Sequence, residues 1–106
     1  MTANEVNPFW LRSSLVKYQL GNVNGAMDLM KRVDNRFPQA PEVRAAYAVL
    51  LWAAGNDNAA RAKFLEIPDR QRKKYIDSAF MKDVVSWPPK AIATIAEVAN
   101  AVGDGP

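Results

Sequence analysis

The sequence predicts an all-α fold in which three antiparallel helix pairs stack as a short right-handed α-solenoid. The first observation behind this prediction is a repeat, since Gly21-Asn22 recurs as Gly55-Asn56 after 34 positions. The second is the spacing of apolar residues, which recur three or four positions apart on both sides of each Gly-Asn pair. No segment alternates apolar and polar residues as a half-buried strand would.

The repeat divides the chain of 106 residues into three units, at about residues 7–40, 41–74 and 75–102, followed by a loose tail over residues 103–106. A chain of this length forms one domain, and the three units belong to it. Equivalent positions in the first two units hold similar residues: Tyr18 and Trp52, Ala26 and Ala60, Met30 and Phe64, Val33 and Ile67. The third unit keeps only the small and apolar character of these positions.

The first three helices follow from apolar spacing and from residues that end a helix. The first is predicted over residues 8–20, and Gly21 provides the turn that follows it. The second covers residues 23–36 and stops before Pro38. The third, over residues 41–54, is apolar on nearly all sides, which is typical of the most buried helix of a domain.

The remaining helices are bounded by prolines. The fourth covers residues 58–67 and cannot continue through Pro68. The fifth is predicted to run from Asp69 to about Ser86. Trp87-Pro88-Pro89 forms a stiff break, and the last helix extends from there to Val102.

The composition excludes most catalytic chemistry. The chain has no Cys and no His, so thiolate nucleophiles, imidazole bases and the common zinc and haem ligand sets are all missing. Asp77 and Asp83 are six positions apart and so fall on different helix faces, which leaves no carboxylate pair for acid-base chemistry. We therefore expect no enzymatic activity, no cofactor and no metal.

Charge and hydropathy indicate a cytoplasmic protein with no membrane span. Lys and Arg exceed Asp and Glu by 14 to 11, a net charge of +3 that is only weak support for binding nucleic acid. The longest uncharged run, residues 45–56, is shorter than the roughly 20 residues that cross a bilayer. Residues 1–8 lack the basic region and apolar stretch of an export signal.

The repeat unit resembles that of the tetratricopeptide repeat (TPR) family. The residues that carry the resemblance are Trp10, Gly21-Asn22, Ala26, Met30 and Pro38 in the first unit and Gly55-Asn56, Ala60 and Phe64 in the second. The first helix departs from the family pattern, because Ser13, Ser14 and Lys17 stand where Leu, Gly and Tyr are usual. Residues 80–89 are similar to the end of small repeat proteins of cyanobacteria and plastids.

The resemblance implies a scaffold that binds a peptide or an amphipathic helix of a protein partner in a concave, largely apolar groove. The implied inner wall consists of Leu11, Arg12, Leu15, Tyr18, Gln19, Ala45, Val49 and Trp52. The same helical spacing is also expected of core residues. That second interpretation is favoured for Leu15 and Val49, and the choice stays open for Tyr18 and Trp52.

Two other binding functions stay open. The last helix, residues 90–102, has apolar residues on more than one face, so the chain could form a homo-oligomer through this helix. A basic cluster could instead bind RNA or an acidic partner, and it comprises Arg61, Lys63, Arg70, Arg72, Lys73 and Lys74. The cluster lacks adjacent glycines and aromatic stacking residues, which disfavours nucleic acid.

Overall fold

The computed structural model describes residues 9–103, in which seven α-helices and no strand occur. In chain order they are α1 (Phe9–Gln19), α2 (Val23–Arg36), α3 (Pro41–Ala53), α4 (Asp57–Leu65), α5 (Asp69–Tyr75), α6 (Ser78–Asp83) and α7 (Pro89–Ala101). The all-helical fold is therefore confirmed. The predicted start of the first helix at Pro8 and most of the predicted loose tail, residues 104–106, lie outside the described residues.

In each of the first two units, a glycine ends the first helix in the same way. Gly21 has a φ of +89° and Gly55 a φ of +86°, in the left-handed region where a Cβ atom is disfavoured. At the first turn, the Gly21 amide donates to the Tyr18 carbonyl at 2.9 Å and the Asn22 amide donates to the Lys17 carbonyl at 2.8 Å. These bonds satisfy carbonyls that the end of α1 leaves without helical partners.

The asparagine of each Gly-Asn pair begins the next helix. Asn22 Oδ1 accepts a hydrogen bond from the Gly25 amide at 2.9 Å, at the start of α2. Asn56 Oδ1 accepts from the Ala59 amide at 3.4 Å, at the start of α4. A side-chain acceptor at this position satisfies one of the free amides of the first helical turn. The pair therefore ends one helix and starts another within two residues.

Small residues lie where the two helices of a unit meet. Ala26 and Ala60 are both fully buried, which confirms the predicted repeat register. Ser14 of α1 is also fully buried, and its hydroxyl donates to the Ala26 carbonyl at 2.6 Å. The equivalent position in the second unit holds Ala48, which is buried as well. Ser14 is therefore small enough for this contact and adds a hydrogen bond between α1 and α2.

Helix α3 is the centre of the fold, as predicted. It packs against α1, α2, α4, α5 and α7. Its buried residues are Val43, Ala45, Ala46, Ala48, Val49 and Leu50. Although α3 is mostly apolar, it has only 13 residues. None of the helices within residues 9–103 combines the length and the apolar character that crossing a membrane requires.

The prediction of one long fifth helix over residues 69–86 is wrong, because the segment forms two short helices. Helix α5 ends before Ile76, and Asp77 begins α6 with an extended backbone of φ −87° and ψ 105°. The Asp77 carboxylate accepts hydrogen bonds from the Ala79 amide at 3.0 Å and the Phe80 amide at 3.2 Å. These capping bonds compete with helix continuation and start a new helix instead.

The chain reverses between α6 and α7. Ser86 has a φ of +58°, in the left-handed region that non-glycine residues rarely occupy. The next amide, that of Trp87, donates to the Met81 carbonyl at 2.9 Å. Pro88 and Pro89 then start α7. This reversal directs α7 back toward the first two units.

Replacing Ala60 by Leu should destabilise the protein by about 1–3 kcal/mol, because the added side chain overpacks the contact between α3 and α4. Ala62 is exposed on the same helix, so Ala62→Leu is the matched control and should change stability by no more than about 0.5 kcal/mol. Urea unfolding of the two variants measures both values. Equal effects would contradict the close approach at Ala60.

Candidate partner-binding surfaces

The eight residues predicted to line the partner groove lie on α1 and α3, and they differ in exposure. Leu11, Leu15, Tyr18, Ala45 and Val49 are buried. Arg12 and Gln19 are exposed, and Trp52 is partly buried against the core. A partner could therefore reach only the last three while the fold stays as it is. The binding role of the eight stays a prediction.

Helix α7 covers the face that α1 and α3 form together. It packs against both of these helices and also against α4, so it spans the two regular units. Its buried residues are Ala91, Thr94, Ile95, Val98 and Ala99. A helix of the chain itself thus occupies the face on which the resemblance places a partner.

A hydrogen bond between the hydroxyl groups of Tyr18 and Thr94 joins α1 to α7. The Thr94 hydroxyl donates to the Lys90 carbonyl of its own helix at 2.8 Å and lies 2.6 Å from the Tyr18 hydroxyl. Because a hydroxyl has one proton, Tyr18 is the donor in the second bond. The Lys90 ammonium lies 4.7 Å from the centre of the Tyr18 ring, which adds a cation–π contact.

Gln19 caps α7 from a different helix. The N-cap residue of α7 is Pro88, whose side chain cannot accept a hydrogen bond from the first amides of the helix. Gln19 Oε1 instead accepts from the Lys90 amide at 2.8 Å. One of the free donors at the start of α7 is therefore satisfied by α1.

Two further contacts hold the segment between α6 and α7. Arg12 Nη2 donates to the Val85 carbonyl at 3.3 Å, and the buried Trp87 donates from its indole nitrogen to the Glu42 carboxylate at 3.0 Å. The Trp87 and Tyr75 rings have their centres 6.4 Å apart. Burial, and secondarily the Glu42 carboxylate, raises the pKa of Tyr75.

The sequence prediction missed the residues that hold α7 in place, chiefly Thr94, Lys90 and Trp87. One feature of the sequence could have indicated Thr94. Thr94 stands within a stripe of Ala, Ile and Val residues on α7, and a hydroxyl buried in such a stripe needs a hydrogen-bond partner. The two-hydroxyl contact with Tyr18 meets that need.

An open groove lies between α6 and α7. It has a volume of about 770 Å³ and a mostly apolar lining. The lining residues are Ser78, Ala79, Lys82, Asp83, Trp87, Pro89, Ile92 and Ala93. Ala79 and Ala93 are small and exposed, so they leave room beside the larger Ile92. Lys82 and Asp83 place one charge of each sign at this groove.

Members of the predicted basic cluster bond to their own chain. Arg72 Nη1 donates to the Ile67 carbonyl at 2.8 Å, and the same guanidinium pairs with Asp69. Lys63 pairs with Glu66 at 3.4 Å. The exposed members that have no ion pair within residues 9–103 are Arg70, Lys73 and Lys74. Acidic side chains in the same range form no group of three or more that could hold a metal ion.

The comparison with protein families assigns the chain. A family model for the tetratricopeptide repeat matches residues 17–79, which is more than half of the sequence, and the chain belongs to this family. Repeats of the family generally act as protein–protein interaction modules and are typically non-enzymatic. The match ends within α6, so α7 lies beyond it. Comparison with curated proteins and with solved structures finds no significant match in either set.

Thr94→Val should lower the free energy of unfolding by about 1–3 kcal/mol, because it leaves the buried Tyr18 hydroxyl without its acceptor. Tyr18→Phe combined with Thr94→Val should cost less than the sum of the two single changes, since both partners are then removed together. Urea unfolding of the four proteins in this cycle measures the coupling. Strict additivity would contradict a direct bond between the two hydroxyls.

Replacing Arg70, Lys73 and Lys74 together by Gln should leave the free energy of unfolding within about 0.5 kcal/mol of the parent value, because these side chains are exposed. Arg72→Gln alone should cost about 1–2 kcal/mol, since it removes a charged donor from the Ile67 carbonyl. Thermal and urea unfolding compare the two variants. A larger loss in the triple variant would show that the cluster has a structural role.

Proposed function

We propose that this chain is a protein-interaction scaffold that binds an apolar segment of a partner protein in the groove between α6 and α7. The observation that carries the proposal is that this groove is open and apolar, whereas α7 fills the face between α1 and α3. Its volume of about 770 Å³ falls within the roughly 300–1,000 Å³ of typical ligand sites. Membership of the TPR family supports a protein as the ligand.

The lining of the groove indicates what the bound segment contains. Ala79 and Ala93 leave space that one large apolar side chain of the partner would fill against Ile92 and Trp87. Lys82 and Asp83 have opposite charges, so they favour a segment with polar residues of both signs around its apolar anchor. A short amphipathic helix or an extended peptide meets this description.

The face between α1 and α3 is a second candidate position for the same function. A partner that bound there would have to replace α7, which is tethered and therefore competes at an effective concentration of about millimolar. It would meet Trp52, Arg12 and Gln19, which keep exposed surface while α7 is bound. Binding between α6 and α7 requires no such replacement, and for that reason we favour it.

A second copy of the chain is an alternative occupant of the groove between α6 and α7. The apolar residues of α7 that first indicated self-association are mostly used inside the protein, since Ile95 and Val98 are fully buried. Ile92 lies in the groove and is only partly buried. Self-association through α7 would therefore use the same surface as a peptide, and sedimentation separates the two cases.

Ala93→Leu should weaken binding at this groove, because the larger side chain fills the space beside Ile92. The probe is a peptide selected from a displayed library for binding to the full chain. We expect at least about a tenfold loss of affinity, which corresponds to about 1.4 kcal/mol. The free energy of unfolding should change by no more than about 0.5 kcal/mol, because Ala93 is exposed.

Ala101→Leu is the matched control, because Ala101 is exposed on α7 and does not line the groove. The indole N–H resonances of Trp52 and Trp87 report where the peptide binds. A peptide that shifts the Trp87 signal and loses affinity in Ala93→Leu supports the proposed groove. A peptide that shifts the Trp52 signal and ignores Ala93→Leu would assign binding to the face between α1 and α3 instead.

A further inference from the structure

One side of α1 carries exposed apolar and basic residues. Val16 is 43% exposed, and Leu20, just after the helix, is 79% exposed. A shallow hollow of about 530 Å³ beside Val16 is lined also by Phe9, Arg12, Ser13 and Lys17. These six residues together are called the outer surface of α1.

Five of the six equivalent positions in the second unit are buried or partly buried, whereas Ala54, the equivalent of Leu20, is exposed. Leu50 stands 34 positions after Val16, and Ala46 stands 34 positions after Arg12, and both are fully buried. They belong to α3, which has α2 of the preceding unit packed against it. Within the repeat, the outer surface of α1 therefore occupies a position at which helices pack.

The charge of the outer surface favours an acidic occupant. Helix α1 contains Arg12 and Lys17 and has no Asp or Glu. Glu42 lines a neighbouring hollow with Phe9 and Arg12, and its carboxylate accepts a hydrogen bond from Trp87. Arg12 donates to a neutral group, the Val85 carbonyl, and Lys17 makes no ion pair within residues 9–103. Two copies of the chain that met through this surface would bring like charges together, which disfavours a symmetric dimer.

We propose that the outer surface of α1 docks an amphipathic helix of a partner protein, in which a row of apolar residues is flanked by Asp or Glu. The apolar row would pack on Val16, whose equivalent in the second unit is buried, and would also cover the exposed Leu20. The carboxylates would pair with Arg12 and Lys17. The outer surface of α1 shares no lining residue with the groove between α6 and α7.

The test uses two synthetic helical peptides and the full, isotope-labelled chain. The acidic peptide has Leu at every third or fourth position with Glu beside it, and the basic peptide has Lys in place of each Glu. Titration followed by amide NMR should shift the signals of Ser13, Val16 and Lys17 with the acidic peptide. The basic peptide should bind about tenfold more weakly or worse, because two ion pairs become repulsive contacts.

Charge reversal provides the matched control. Lys17→Glu should reduce or invert the preference for the acidic peptide, whereas Lys31→Glu, at an exposed position on α2, should leave the preference unchanged. Both sites are exposed, so both variants should fold. The proposal is overturned if the acidic peptide causes no shifts on α1 at millimolar concentration, or if the two variants behave alike. Sedimentation showing a dimer that Val16→Asp dissociates would assign the surface to a second copy and also overturn it.

Discussion

Two stacked helix pairs leave one apolar face that they cannot bury by themselves, and the packing of α7 on this face is the interaction on which the rest of the structure depends. Leu15 of α1 and Val49 of α3 are fully buried with α7 in place. Full burial of one such side chain stabilises a protein by about 1.5–3 kcal/mol. A repeat array needs about three layers to form a stable core. Here α7 provides the third layer, and it packs on helices of both of the first two units.

The period of the sequence predicted the register of the first two units, including the buried Ala26 and Ala60, because helix contacts accept only small residues there. The break at Asp77 was not predictable in the same way. Ile76, Phe80 and Val84 keep helical spacing across it, and only the structure decides whether Asp77 continues a helix or caps one. The partner site was not predictable for another reason. The spacing of Leu15 and Val49 predicts that both side chains are buried, but it does not identify the helix or partner that buries them.

Arg12 and Gln19, two polar residues of the implied inner wall, bond to the chain's own C-terminal segment. Arg12 donates to the carbonyl of Val85, and Gln19 accepts from the amide of Lys90. The backbone carbonyl and amide groups of a bound peptide would form the same kinds of hydrogen bond with these two side chains. Membership of an interaction family therefore does not place the interaction on the face between α1 and α3. The chain has two other accessible surfaces, and α7 itself forms one wall of the first, the groove that contains Ile92.

The contacts that hold α7 also set an order of events during translation. Tyr18 meets Thr94 and Gln19 meets Lys90 across 76 and 71 positions of sequence. A ribosome completes α4 36 residues before it completes α7, as the helix ends at Leu65 and Ala101 show. At about 5–20 residues per second, the synthesis of these 36 residues takes about 2–7 s. Until α7 has been made, Tyr18 and Gln19 lack the hydrogen bonds to Thr94 and Lys90 that they form in the folded chain.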